Sequence, residues 1–260
     1  MTGPVGIFDS GVGGLSVLRE IRRELPHEDL IYVADSKHAP YGDQPAAFIE
    51  RRSFAMAEFL LEQHAKAIVV ACNTATSVAV RALRERWPLP IVAIEPAIKP
   101  AAALTRSGVV GVLATSQTIA SPNVARLVER VRGTATVLLQ ACPGLVEQVE
   151  RGELTSPATR SLVEEYIAPL RARNADVLVL GCTHYPLIID LIREVAGPDV
   201  TILDPAQAVA KELKRRLAQE TLLGSHTSTG RLHAWSTAQA GHLQEALARC
   251  GFGALSVRDC

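Results

Sequence analysis

The sequence predicts an α/β fold made of two pseudo-symmetric three-layer α/β domains, each with a mostly parallel sheet, facing a shared cleft. Two observations predict it. Short runs of Val, Ile, Leu and Ala alternate with amphipathic stretches along nearly all of the 260 residues, and near-continuous apolar strands suit a parallel sheet buried on both faces. The second is an internal repeat. GIFDSG around Asp9 resembles GVLATS around Ala114, 105 residues on, and the strand ending at Cys72 resembles the strand ending at Cys182, 110 residues on. All four landmarks close strands, and open α/β sheets bind ligands beyond the carboxyl ends of their strands.

The strands are expected at 5–10, 30–35, 67–72, 91–95, 109–115, 135–140, 176–182 and 200–204. Helical periodicity covers 15–25, 46–65, 77–87, 124–133, 159–174 and 240–252. Ser77 reads as a cap for the third helix, and Pro88 as its stop. The segments 94–100 (IEPAIKP) and 203–209 (LDPAQAV) read as linkers. These divide the chain into a first domain, 1–96 plus 207–260, and a second, 97–206.

Composition narrows the function. Hydrophobic residues make up 48%, enough for a sizeable core. Acidic and basic residues balance at 27 each, and no basic stripe invites a nucleic-acid partner. No stretch reaches the roughly 18 apolar residues of a membrane span, and the opening MTGPVGIFDSG lacks the pattern of a signal peptide. Five scattered cysteines without a CxxC pair argue for a reducing, cytoplasmic compartment and against a zinc ribbon.

The chemistry-bearing residues gather at the strand ends. Cys72 precedes Asn73 and Thr74, and Cys182 precedes Thr183 and His184. A strand cysteine is ordinarily a small hydrophobe, but two in matching polar settings are candidates for thiol chemistry, since a neighbour that accepts a proton makes a thiol reactive. Asp9 closes a strand and opens a glycine run, Gly11, Gly13 and Gly14. It reads either as a turn residue or as a carboxylate at the cleft, and the glycines let backbone N–H groups approach an anion. His184 can relay protons or simply hold structure; His38 shares that ambiguity. The 39–45 segment, with Pro40, Tyr41, Gly42 and Pro45, reads as a rigid turn. Cys142, Cys250 and Cys260 lack a repeated setting and read as structural or incidental.

Together the stretches GIFDSGVGGLSV, YVADSKHAPYG, VVACNTATSVA, IEPAIKPA, ACPGLVEQVERGEL, LVLGCTHYPL and ILDPAQAVA resemble the cofactor-independent aspartate/glutamate racemase superfamily, the glutamate racemases above all. The order and spacing of DSGVGG, ACNTAT and GCTHYP carry the resemblance. The chain departs from the usual pattern at SPNVARL and at PGLVEQV, away from both thiols. The resemblance implies interconversion of L- and D-glutamate by two thiols, supply of D-glutamate for peptidoglycan, no cofactor and no metal, a small-molecule substrate and a homodimer. It implies that Cys72 takes the α-proton of D-glutamate and Cys182 that of L-glutamate, supported by Asp9 and His184. The implied substrate contacts are Ser10, Pro40, Tyr41, Gly42, Asn73, Thr74, Thr183 and His184, with Glu150, Thr115 and Thr118 in a second tier.

Rival readings have weaker support. GVGGLS with Asp35 approximates a dinucleotide fingerprint, but Ser16 stands at the third glycine and Asp9 would face a pyrophosphate with the wrong charge. Zinc held by Cys72, Cys182 and His184 lacks paired ligand spacing. A non-catalytic amino-acid-binding protein and an aspartate racemase stand as two further readings.

Overall fold

The computed structural model describes residues 3–224 and 228–260. The chain divides into two compact units, Met1–Ile94 with Ala206–Cys260, and Glu95–Pro205.

The first unit opens with β1 (Val5–Asp9), α1 (Leu15–Glu24), β2 (Leu30–Ala34), α2 (Ala46–Glu62), β3 (Ala67–Val70), α3 (Asn73–Arg86) and β4 (Ile91–Ala93). β1, β2 and β3 are buried along their whole length, which is why their sequences show no alternation. The second unit holds α4 (Ile98–Leu104), β5 (Val109–Ala114), α5 (Ser116–Ile119), α6 (Pro122–Glu129), β6 (Thr136–Ala141), α7 (Leu145–Glu150), α8 (Pro157–Ala172), β7 (Val177–Gly181), α9 (Ile189–Ala196) and β8 (Thr201–Leu203). The chain then returns to the first unit with α10 (Ala206–Gln219), β9 (Leu232–Ser236), α11 (Ala240–Arg249) and β10 (Val257–Asp259).

Both sheets are parallel, and they share a strand order. The first runs β10-β9-β2-β1-β3-β4 and the second β6-β5-β7-β8. The pattern β2-β1-β3-β4 therefore recurs as β6-β5-β7-β8, which places Asp9 and Ala114 at equivalent strand ends and Cys72 and Cys182 just past equivalent strands. The sequence repeat is a repeat of topology.

Several boundaries depart from the sequence-based expectation. α3 begins at Asn73, and its cap is Cys72, whose sulfur accepts from Ala75 N–H at 3.5 Å. Ser77 lies inside the helix, its hydroxyl donating to Thr74 O at 2.8 Å, so it caps nothing. α6 and α8 start two residues early, at Ser-Pro pairs where Ser121 and Ser156 cap and proline takes the first turn. Much of each expected linker is helix. Pro100 falls in the first turn of α4, where proline needs no N–H partner, and α10 starts directly after Pro205.

The second sheet is pinned at its N-terminal edge by Asp176. Its carboxylate accepts from the Thr105 hydroxyl, from Arg106 N–H at 2.7 Å and from Ser107 N–H at 3.0 Å. Burial works to raise this carboxyl, but the hydrogen bonds outweigh it and lower it to about 2. A depressed carboxyl gives stability that is present above its unfolded value near 4 and lost as pH falls through about 2. We expect that loss to be roughly 1 kcal/mol after solvent screening. Urea unfolding at pH 5, 3 and 2 should show it in the wild type and a flatter profile in Asp176→Asn.

Candidate active site

The first unit gathers its candidates at the C-terminal ends of β1, β2 and β3. β1 and β3 pair with Phe8 opposite Val70, and Ala71 N–H continues the ladder to Phe8 O at 2.9 Å. Asp9-Ser10 and Cys72-Asn73 therefore leave neighbouring strands side by side. Cys72 is buried, and its thiol lies 3.7 Å from the Ser10 hydroxyl. As cap of a 14-residue helix, its sulfur accepts from Ala75 N–H and lies at the positive end of the helix dipole. Both favour negative charge on sulfur.

Asn73 and Thr74 form the first turn of α3 and are buried. Both polar atoms of the Asn73 amide lack a hydrogen-bond partner. An orphaned buried amide is costly inside a folded chain and reads as a group waiting for a ligand.

Asp9 is fully buried, and its Oδ1 accepts from Gly11 N–H at 2.9 Å. The glycine run has a reason that sequence reading missed. A Cβ on Gly14 would lie 2.6 Å from Asp9 Cβ and 2.8 Å from the Tyr32 hydroxyl. Tyr32 in turn donates to Gly11 O at 2.7 Å. Gly14 is thus required by close approach, and the run is bent around Asp9 rather than left open for a pyrophosphate.

Pro40, Tyr41 and Gly42 sit in the loop after β2, with Tyr41 and Gly42 buried in a 3-10 turn. Asp35 organises that loop. It accepts from Tyr41 Oη at 2.6 Å, from both Arg52 Nε and Nη2 at 2.8 Å, and from Thr237 Oγ1 at 2.9 Å, and it contacts His38 Nδ1 at 2.9 Å. Burial pushes this carboxyl up, but the hydrogen bonds from Arg52, Tyr41 and His38 prevail and hold it below its usual range. Burial and the adjacent Asp35 push the Tyr41 phenol far up, so it remains a donor. The carboxylate that resembled a ribose ligand is consumed by protein donors. Arg52→Met strips the cation from a fully buried carboxylate, a loss of about 3 kcal/mol. A lower urea midpoint at an unchanged slope is the expected result.

The second unit builds a different half-site. Gly181 ends β7 opposite Ala114 of β5, and Cys182, Thr183 and His184 follow, all buried. Cys182 Sγ lies 3.7 Å from His184 Nδ1, and His184 Nε2 lies 2.6 Å from Glu150 Oε1 at the end of α7. A thiol, an imidazole and a carboxylate thus form one chain. Burial works to lower the imidazole, but Cys182 and Glu150 outweigh it and raise His184 well above its ordinary value. With Nε2–H given to Glu150, a protonated ring presents Nδ1–H to the sulfur. Glu150, a second-tier residue by sequence, is the partner that fixes His184.

Thr115 and Thr118 follow β5. Thr115 caps α5, accepting from Thr118 N–H at 3.3 Å and donating to the Thr118 hydroxyl at 2.9 Å. A cavity of about 480 Å³ in the first unit is lined by Arg84, Trp87, Ile91, Glu212 and Arg216. It opens at the other end of α3 from Cys72, roughly 20 Å along the helix.

Comparison with known proteins shows the family and the fold. The family model of the Asp/Glu/hydantoin racemases matches residues 6–213. The chain is 55% identical over 243 residues to a glutamate racemase of Methylococcus capsulatus, covering 92% of this chain and 90% of that one. Among solved structures it is similar to glutamate racemase isoform RacE1 of Bacillus anthracis, with a TM-score of 0.91 and 33% identity over 99% and 97% of the two chains. It is also similar to Escherichia coli glutamate racemase in complex with L-glutamate and the activator UDP-MurNAc-ala, with a TM-score of 0.87 and 34% identity over 99% and 98%.

Proposed function

Because the chain belongs to the Asp/Glu/hydantoin racemase family, we propose that Cys72 and Cys182 act on opposite faces of one α-carbon. The enzyme interconverts L- and D-glutamate. The observation that carries the two-thiol reading is the matched placement of both cysteines just past equivalent strands of two sheets with one strand order.

Starting from L-glutamate, Cys182 as thiolate takes the α-proton, and the Cys72 thiol gives its proton to the other face. From D-glutamate the roles reverse. His184 as imidazolium supports negative charge on Cys182, with Glu150 holding the ring; Ser10 and the α3 N-terminus support Cys72, and Asp9 stands at the adjacent strand end. Charge developing beside the substrate carboxylate needs preorganised donors. The unpaired Asn73 amide, with Thr74 and Thr183, supplies them, and the Pro40-Tyr41-Gly42 loop completes the substrate contacts. Residues 1–96 with 207–260 form one domain of this machine and 97–206 the other.

The physiological reading is supply of D-glutamate for peptidoglycan by a cytoplasmic homodimer. Among the described residues no helix is long and apolar enough to cross a membrane.

The test is optical rotation of L-glutamate, D-glutamate and L-aspartate solutions with the purified enzyme. Both glutamate enantiomers should decay to a racemic mixture, with aspartate slower. Turnover of aspartate in preference to glutamate would reassign the substrate.

A further inference from the structure

Tyr185 opens the turn Tyr185–Ile188, and its N–H donates to Cys182 O at 3.2 Å. The ring is thereby tied to the strand end that carries the thiol. The side chain is fully buried, yet its hydroxyl makes no well-aligned hydrogen bond. A buried hydroxyl whose partner is the poorly aligned Cys142 thiol needs a reason. The titratable groups that act on it are the Cys142 thiol, which also hydrogen-bonds to it, the Cys182 thiol and Glu147.

The strand register explains why two thiols flank one ring. Ala114 of β5 pairs with Ala141 of β6 on one side and Gly181 of β7 on the other. Cys142 and Cys182 are the next residues past those two strands. Cys142 is held by its N–H to Ala114 O at 3.0 Å, and the turn after it by Tyr166 Oη to Pro143 O at 2.7 Å. Burial pushes the Cys142 thiol up to about 12. Burial, then the thiols, push the Tyr185 phenol well up as well. Both groups stay neutral, so the phenol stays a donor.

We propose that Tyr185 is a positioning residue for the Cys182 half of the reaction: its hydroxyl, buried beside the Cys142 and Cys182 thiols, donates a hydrogen bond to Cys182 whenever that sulfur carries negative charge, and Cys142 orients the hydroxyl at other times. The phenol keeps its proton throughout; the proton that moves passes between the substrate α-carbon and the Cys182 sulfur. The inference rests on Cys182 being a proton-transfer group, as in the function proposed above.

Tyr185→Phe removes one oxygen and leaves the ring. Enantiomers have equal free energy, so kcat/KM is the same in both directions for any variant, and bare rates cannot separate the two half-reactions. Substrate isotope effects can, because α-deuterated L-glutamate reports abstraction by Cys182 and α-deuterated D-glutamate abstraction by Cys72. In Tyr185→Phe, kcat/KM should fall roughly tenfold, the size of one hydrogen bond to a charged group. Its isotope effect should rise from the L side and fall from the D side. Cys142→Ala should move both in the same directions by less, and the double variant should be no slower than Tyr185→Phe alone. Wild-type isotope effects in Tyr185→Phe would overturn the proposal, whatever the rate. Should that variant fail to fold, unchanged isotope effects in Cys142→Ala would overturn it equally. Cys182→Ser run alongside separates the two claims: if it racemises normally, the reading of Cys182 fails first.

Discussion

Replacing Cys182 by alanine is expected to lower racemisation by roughly a thousandfold or more, the range of a lost acid/base group. The more telling expectation concerns what survives. In deuterated water, Cys182→Ala should still exchange the α-proton of D-glutamate, because Cys72 keeps its face and its place at the head of α3. It should not exchange that of L-glutamate. Cys72→Ala should give the mirror image. Proton NMR of each enantiomer, incubated with each variant, reads this directly. A variant that lost exchange with both enantiomers would point to damage of the site rather than loss of one base, and a variant that kept both would return that cysteine to the core.

The second large effect belongs to Glu150. Together with the Cys182 sulfur, the 2.6 Å contact of Glu150 to His184 lets a fully buried ring hold a proton. Glu150→Gln keeps an acceptor but removes the charge, so kcat should fall by roughly ten- to a hundredfold, the size of one charged hydrogen bond or somewhat more. The pH dependence follows from the direction of the shift. A raised imidazole is protonated below its unfolded value and remains so until pH climbs through its folded value; above that the imidazolium and its support for Cys182 are lost. Glu150→Gln lowers the folded value, so the alkaline limb of kcat/KM should move to lower pH. An alkaline limb unmoved by the substitution would mean that His184 does not act as imidazolium.

How far these features were legible varies with how local they are. β1, β3, β5 and β7 are short apolar runs buried on both faces, a pattern visible in any window of the sequence. β9 and β10 went unseen. LHAWS contains His233 and Ser236, and VRD is three residues long; β9 exists because β2 offers a distant edge to pair with, and β10 because β9 then offers the next. The start of α3 was missed because a cysteine caps it, and thiols are not among the residues a capping rule seeks. Proline misled at both expected linkers, where it marks the start of α4 and of α10. Within the site, each cysteine could be found from its own neighbours. The Glu150–His184 contact spans 34 residues and Arg52–Asp35 spans 17, and no local pattern announces either.

The central claim is that two thiols, one per face, share one proton transfer. It is tested most directly by letting the wild-type enzyme act on fully protiated L-glutamate in deuterated water, stopping early, and measuring deuterium separately in substrate and product; D-glutamate serves as the mirror experiment. Two bases predict deuterium in nearly every product molecule and little in recovered substrate, from either direction. Equal early enrichment of recovered substrate and product, as a single base serving both faces would give, would contradict the account.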